Sequence, residues 1–281
     1  MELETRVYQK ENTASIGKHL KESLKDLFQA RFLAKQLATR DIKAQYRQSF
    51  FGFTWIIITP LLTSIVWIVL NASGTVKLID TGIPYPLYAF SGTLIWSIIV
   101  ESINAPIQST SAAKSILSKI NFPKEGLVLS GIYKLLFNSL IKIALLLVFV
   151  WVYKVGFQMS LLLLPLTMFG AILIGSTLGL LLAPIGLLYK DVSKMISLGL
   201  KFLMYATPVV YAIPEEGIMK MVMEINPITP IVVTTRDLIV GFEPEYLSYF
   251  LILVLVCIPL LFVALVFYRI SMPIIVERLS A

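Results

Sequence analysis

Apolar residues gather along this chain in six long blocks, near residues 53–70, 86–107, 127–152, 161–188, 195–212 and 247–268, with polar connections between them. Each block is near or above the roughly 20 residues that a helix needs to cross about 30 Å of hydrocarbon. The fourth holds Pro165, Pro184 and several glycines, so it is expected to tilt or kink; the fifth is interrupted by Lys201 and Pro208. Ahead of the first block, Leu20, Leu24, Leu27, Phe28, Phe32 and Leu37 recur near helical spacing among Lys21, Lys25, Arg31, Lys35, Arg40 and Lys43. That pattern predicts a basic amphipathic helix lying along a membrane surface. The outer connection, 213–246, is long enough to hold two short amphipathic helices, over 218–223 and 230–240, parted by the turn signal Asn226-Pro227. The expected fold is therefore an all-α membrane protein of six transmembrane helices with an N-terminal interface helix. Its arm covers 1–50, its membrane domain 51–270 and its tail 271–281.

Composition strengthens this picture. Hydrophobic residues make up 57% of the chain and charged residues only 15%, against about 25% in soluble domains; mean hydropathy is +0.82. A net charge of +7 would suggest nucleic acid in a soluble protein. Here the bases flank apolar blocks, where anionic lipid head groups and membrane topology account for them, and no nucleic-acid partner is expected. The arm, the 109–126 connection, the 189–194 connection and the C-terminal stretch from Arg269 onward together hold seventeen basic residues. The opposite side holds four: Lys77, Lys154, Lys220 and Arg236. This asymmetry places both termini in the cytoplasm. No secretory signal opens the chain, so the first block is expected to act as its own insertion signal.

Catalytic strings are missing. The nearest approach to a phosphate-binding loop, Ser15-Ile16-Gly17-Lys18-His19, lacks the glycine spacing and the hydroxyl after lysine. No HExxH, CxxC or GxSxG occurs. Cys257 and His19 are single, so no disulfide, zinc cluster or nucleophile–base pair is expected, and no catalytic, cofactor-binding or metal-binding residue is assigned. Three ionisable residues are embedded in the blocks: Glu101, Lys134 and Lys142. A mid-membrane charge faces protein or water. Glu101 and Lys134 are expected to pair, and Lys142, deeper, to face the interior. Tyr85, Tyr88, Trp96, Trp151, Tyr153, Tyr205 and Tyr211 fit an interfacial belt. Of these, Tyr85, Tyr88, Trp96, Tyr205 and Tyr211, with Lys142, are candidates to line a conduit or gate.

The run Arg40-Asp41-Ile42-Lys43-Ala44-Gln45-Tyr46-Arg47-Gln48-Ser49-Phe50-Phe51-Gly52-Phe53-Thr54-Trp55, then Pro60-Leu61-Leu62, resembles the membrane subunits of type-2 ABC exporters that move O-antigen, capsule or wall teichoic acid polymers. Further strings follow in the same order: Pro84-Tyr85-Pro86-Leu87-Tyr88 leading to Trp96, Lys119-Ile120-Asn121-Phe122-Pro123-Lys124-Glu125, Tyr189-Lys190-Asp191-Val192, Thr207-Pro208-Val209-Val210-Tyr211 and Asn226-Pro227-Ile228-Thr229-Pro230. Lys190 and Thr207 depart mildly from the family's more frequent arginine and serine.

The resemblance implies a homodimer in a bacterial plasma membrane, paired with two ATP-binding cassette subunits that hold the ATP and magnesium. It implies re-entrant outer gate helices within 214–240 and a coupling helix over 111–124, with Ser111, Lys114, Lys119, Phe122, Pro123, Lys124 and Glu125 as residues that meet the ATPase. Arg40, Lys43, Tyr46 and Arg47 would meet lipid head groups, and a lipid-linked glycan would be the cargo. The alternatives are a permease of the same type for a drug or lipid, or an intramembrane enzyme or self-sufficient carrier. The missing catalytic strings and paired intramembrane acids weigh against the last two.

Topology is directly testable. In a Cys257→Ser background, cysteines at Lys18 and Lys119 should be shielded from an impermeant thiol reagent in intact cells, and one at Glu216 should react. Labelling of the Lys119 position from outside would overturn the assignment.

Overall fold

The structure, a computed structural model, describes residues 16–47, 49–75, 82–117, 122–156 and 158–280. Among these residues it holds eleven α-helices and no strand. The arm folds as α1 (Ile16–Gln29) and α2 (Arg31–Arg47). The body contains α3 (Trp55–Ala72), α4 (Tyr85–Ala112), the single turn α5 (Lys114–Leu117), α6 (Glu125–Val152), α7 (Leu164–Leu188) and α8 (Lys190–Tyr205). Two short helices, α9 (Ile218–Ile225) and α10 (Thr229–Val240), precede the long last helix α11 (Leu247–Ser280).

Among the described residues, five helical stretches are long and apolar enough to cross a membrane: Gly52–Ala72, Tyr85–Ala112, Glu125–Val152, Met159–Leu188 and Leu247–Arg278. The fifth apolar block departs from a full-length crossing. Its helix, α8, has 16 residues, about 24 Å at 1.5 Å per residue. It stops at Tyr205 because Pro208 disfavours helical geometry at Thr207 and offers no N–H to continue the ladder. The outer helices fall close to where the sequence puts them. Proline stands in the first turn of α4, α7 and α10, where its missing N–H costs nothing. α10 ends on Gly241, which takes the left-handed conformation (φ 84°).

The bundle centres on α4, whose Leu87, Phe90, Leu94, Ile95 and Ile98 are fully buried. It packs chiefly against α7 and α6, while α11 covers the far side of α7. The α4–α7 contact is a small-residue seam: a side chain on Gly175 would meet Ser102 Cβ at 2.5 Å, and one on Gly179 would meet the Ile103 carbonyl oxygen at 2.1 Å. Close backbone approach of this kind holds helices together where lipid removes the hydrophobic drive between them. Helix α3 is peripheral, with Leu62, Ile65, Val66 and Val69 exposed. Hydroxyls in the apolar helices bond back to their own backbone, as in Thr63 to Thr59 O, Thr93 to Ala89 O, Ser102 to Ile98 O and Thr177 to Leu173 O. Each such bond satisfies a polar atom that lipid would leave bare.

The arm lies beside the starts and ends of the spans. Ala30, Ala34 and Ala38 are buried, and Ala30 approaches Gly126 at the start of α6. On the arm the usual burial is inverted in part: Ser23 and Asp26 of α1 face inward, while Leu24 and Phe28 of α1 and Phe32 of α2 are exposed. An apolar face turned outward next to apolar span ends is what a helix in a bilayer interface presents.

The seam makes a prediction. Gly179→Leu should destabilise the purified protein, by about 1–3 kcal/mol for overpacking, and lower its thermal midpoint. Gly199→Ala, which has no atom within 4 Å of the added carbon, should leave it unchanged. Equal midpoints for both variants would sink the seam.

Candidate functional site

A groove runs along one side of α4, and two adjoining cavities make it up. One, of about 540 Å³, lies toward the arm between α2, α4 and α6, where Asp41, Gln45, Gln108, Ser109 and Lys134 line it. The other, of about 650 Å³, lies among α3, α4, α6 and α8, with Trp55, Thr59, Trp96, Ser97, Lys142, Lys201 and Tyr205 in its wall. They share Gln45, Val100, Glu101, Asn104 and Asn138.

At that junction sits the embedded ion pair. Lys142 Nζ donates to Glu101 Oε1 at 2.5 Å. The lysine side chain is only 4% exposed and the glutamate side chain 38%, so the pair joins a buried lysine to a partly exposed glutamate that lines both cavities. This corrects the expected Glu101–Lys134 pairing. Side chains on a helix lean toward its N-terminus. On the antiparallel helices α4 and α6, that tilt carries Glu101 and Lys142 toward each other and aims Lys134 away, into the arm-side cavity. Lys142 thus faces protein, as its depth required. Asn104 Nδ2 bonds the Val100 carbonyl at 2.9 Å. Glu101 Oε2 and Asn138 Oδ1 are buried with no hydrogen-bond partner.

At the far end of the bundle, the chain after α8 is stitched closed. The turn following Tyr205 leaves carbonyls without helical partners, and side chains from three other elements take them up. Arg236 of α10 donates from Nη1 to Pro208 O at 2.9 Å and from Nη2 to Val209 O at 2.6 Å, and its guanidinium lies 3.8 Å from the Tyr88 ring centre. Asn226 Nδ2 reaches Ala206 O and Thr207 Oγ1, both at 2.8 Å. Tyr85 OH donates to Val210 O at 3.2 Å and Tyr88 OH to Tyr211 O at 3.1 Å; Tyr211 OH in turn bonds Tyr205 O. Non-helical backbone at membrane depth is tolerated when protein satisfies it, and a cation suits the negative end of a helix. Gly92 admits this plug, since a side chain there would meet Val209 O at 1.8 Å. Beside it, burial pushes the Asp237 carboxyl up to about 6, against the lowering by the Arg236 guanidinium.

Of the conduit candidates, Trp96 and Tyr205 reach the groove together with Lys142, whereas Tyr85, Tyr88 and Tyr211 belong to the plug. Of the interface residues, Arg40, Lys43 and Arg47 are exposed on α2, and Arg40 pairs with its neighbour Asp41 at 2.7 Å. Tyr46 is on the same helix, and its side chain lies outside the described residues. Of the coupling candidates, Lys114 is exposed on α5, Ser111, Phe122, Pro123 and Lys124 are half-buried, and Lys119 lies outside the described residues. Glu125 is buried rather than offered at a surface. Its Oε1 accepts from Arg269 Nη1 at 2.6 Å and from Ser23 Oγ at 3.1 Å. Arg269 also meets Asp26 Oδ2 at 2.8 Å and Glu22 Oε2 at 3.2 Å. One guanidinium thus joins the arm, the start of α6 and the last helix.

Sequence reasoning missed Arg236, Arg269, Asn104 and Asn138. The arginines were spent in a topology count, and the asparagines carry no charge to flag them. An arginine amid Ile231, Val232, Val233, Leu238, Ile239 and Val240 was the one available signal. Among the described residues, no cluster of three His, Cys, Asp or Glu could hold a metal.

Comparison with known proteins agrees with this architecture. The family model for the ABC-2 type transporter matches residues 33–240. The chain is 28% identical over 207 residues to the O-antigen export system permease protein RfbA of Myxococcus xanthus, covering 73% of this chain and 78% of that one. It is 26% identical over 220 residues to the protein of the same name from Klebsiella pneumoniae, covering 75% and 82%.

The asymmetric burial of the ion pair predicts asymmetric variants. Glu101→Gln leaves a buried ammonium unpaired and should cost about 3–5 kcal/mol, read as a fall in thermal midpoint of the purified protein. Lys142→Met leaves a carboxylate with access to the groove and should cost clearly less. A larger loss for Lys142→Met would reverse the reading.

Proposed function

The chain belongs to the ABC-2 type transporter family, and from that premise we propose that it is the membrane subunit of an ATP-driven exporter of a lipid-linked polysaccharide, of the O-antigen, capsule or teichoic acid type. ABC-2 permeases work with ATP-binding subunits, so the energy is supplied from outside this chain. The observation that carries the reading is the groove: polar and aromatic groups line it together, and it runs from the arm toward the plug. Curated relatives named as O-antigen export permeases give the cargo class its support.

In this reading a second copy closes the open side of the groove, and two ATPase subunits sit at the arm end, which is cytoplasmic. Arg40, Lys43 and Arg47, exposed on α2, meet the phosphate-bearing head of the lipid carrier; arginine forks onto phosphate oxygens and lysine adds point charge. Movement at α5 and the residues after it passes to Glu125, and through Arg269 to the arm and α11 together. The plug at Arg236 holds the far end shut until α8 and α10 separate. Aromatic walls suit glycan because their contact with sugar rings is largely apolar and tolerates different sugars.

Depletion of the protein in its native host tests the proposal. Surface polymer should disappear while lipid-linked polymer accumulates on the cytoplasmic side. Unchanged surface glycans combined with lost resistance to a small toxic compound would put a drug exporter in its place.

A further inference from the structure

The junction of the two cavities carries a chemical demand that the ion pair does not meet. Glu101 spends Oε1 on Lys142, and its Oε2 is buried without a partner. Asn138, on α6 one helical turn from Lys142, is 9% exposed, and its Oδ1 is also unpartnered. Both residues line both cavities. A buried acceptor left unpaired costs about 1–3 kcal/mol, and here two belong to residues that line both cavities of the groove. Trp96, Thr93 and Ser97 line the adjoining wall.

We propose that this junction is a subsite for a single sugar ring, in which Glu101 Oε2 and Asn138 Oδ1 accept hydrogen bonds from ring hydroxyls. The inference rests on the exporter reading and names what the groove holds at its midpoint. The polarity of the site selects the part of the cargo. Two acceptors, one of them a carboxylate oxygen, repel a phosphate and attract hydroxyl donors. The carrier's phosphate therefore stays with the exposed bases of α2, and the glycan enters. Lys142 is a positioning residue: buried and paired to Oε1, it fixes the carboxylate at the junction of the two cavities.

The test uses the full chain with its ATPase subunit in nanodiscs. A cysteine at Thr59, exposed in the groove wall, is placed in a Cys257→Ser background, and its rate of maleimide labelling is measured. The probes are dodecyl maltoside and an octaethylene glycol ether of the same dodecyl chain. Maltoside should slow labelling by about 5-fold, the factor that one net hydrogen bond supplies, and the ether should not. Asn138→Leu should abolish the difference, as should the charge-free double variant Glu101→Leu/Lys142→Met, with unprobed labelling rates confirming that the groove persists. Equal slowing by both detergents, slowing by neither, or maltoside protection that survives Asn138→Leu overturns the subsite. The cationic probe tetraphenylphosphonium protecting where maltoside does not also overturns it. Host depletion is read separately: protection by maltoside with unchanged surface glycans would retain the subsite and remove the export reading, whereas lost glycans without protection would do the reverse.

Discussion

A polar group carried into an apolar slab must bring its own partner, and this single constraint organises the molecule. Lipid offers neither donors nor acceptors, so most of the buried carbonyls, hydroxyls and charges are answered from within the chain, and the acceptors left over, such as Glu101 Oε2 and Asn138 Oδ1, stand out. Hydroxyls answer locally, folding back on the preceding turn of their own helix. Charges need partners from elsewhere in the sequence. Lys142 finds Glu101, 41 residues away, Arg236 finds carbonyls 27 and 28 residues away, and Arg269 finds Asp26, 243 residues away. Each long-range pairing ties together segments that apolar contact alone would let slide.

The three cations divide the molecule into working parts. Arg269 makes the arm, the start of α6 and the last helix one body, using the charge-assisted bonds that guanidinium forms best. Arg236 does the same for α4, α8 and α10 at the opposite end, where it binds carbonyls rather than carboxylates. Its bonds are therefore weaker per contact. Between them Lys142 is buried while its partner reaches the groove, which leaves the middle of the molecule polar on one side and apolar on the other. The glycine seam brings the backbones of α4 and α7 into close approach between these two ends.

The arm shows how the same residues serve two masters. A helical wheel of α1 separates apolar from basic positions and predicts surface attachment. In the folded protein the helix is held from its polar side, by Ser23, Asp26 and Glu22 against Glu125 and Arg269. Ile16, Leu24 and Phe28 are thereby left facing outward, while Leu27 packs against the core.

The helical membrane fold, the positions of five long spans and the two outer helices were legible from sequence, because block length and residue type record the cost of burying polar groups directly. The sequence by itself also located the embedded charges, since any ionisable residue in such a block stands out. It could not choose partners among them. That choice depends on the antiparallel register of α4 and α6 and on the tilt of side chains along each helix, and so Glu101 meets Lys142 rather than Lys134. Likewise the shortness of α8 and the plug at Arg236 follow from three-dimensional neighbours. A proline marks where the helix can stop, but only the packed arrangement supplies the donors that let its carbonyls remain buried. Glu125 and Arg269 read in sequence as charges beside span ends; folding removed them from the surface and made them a joint, because opposite charges far apart in the chain become the cheapest partners once both are withdrawn from water.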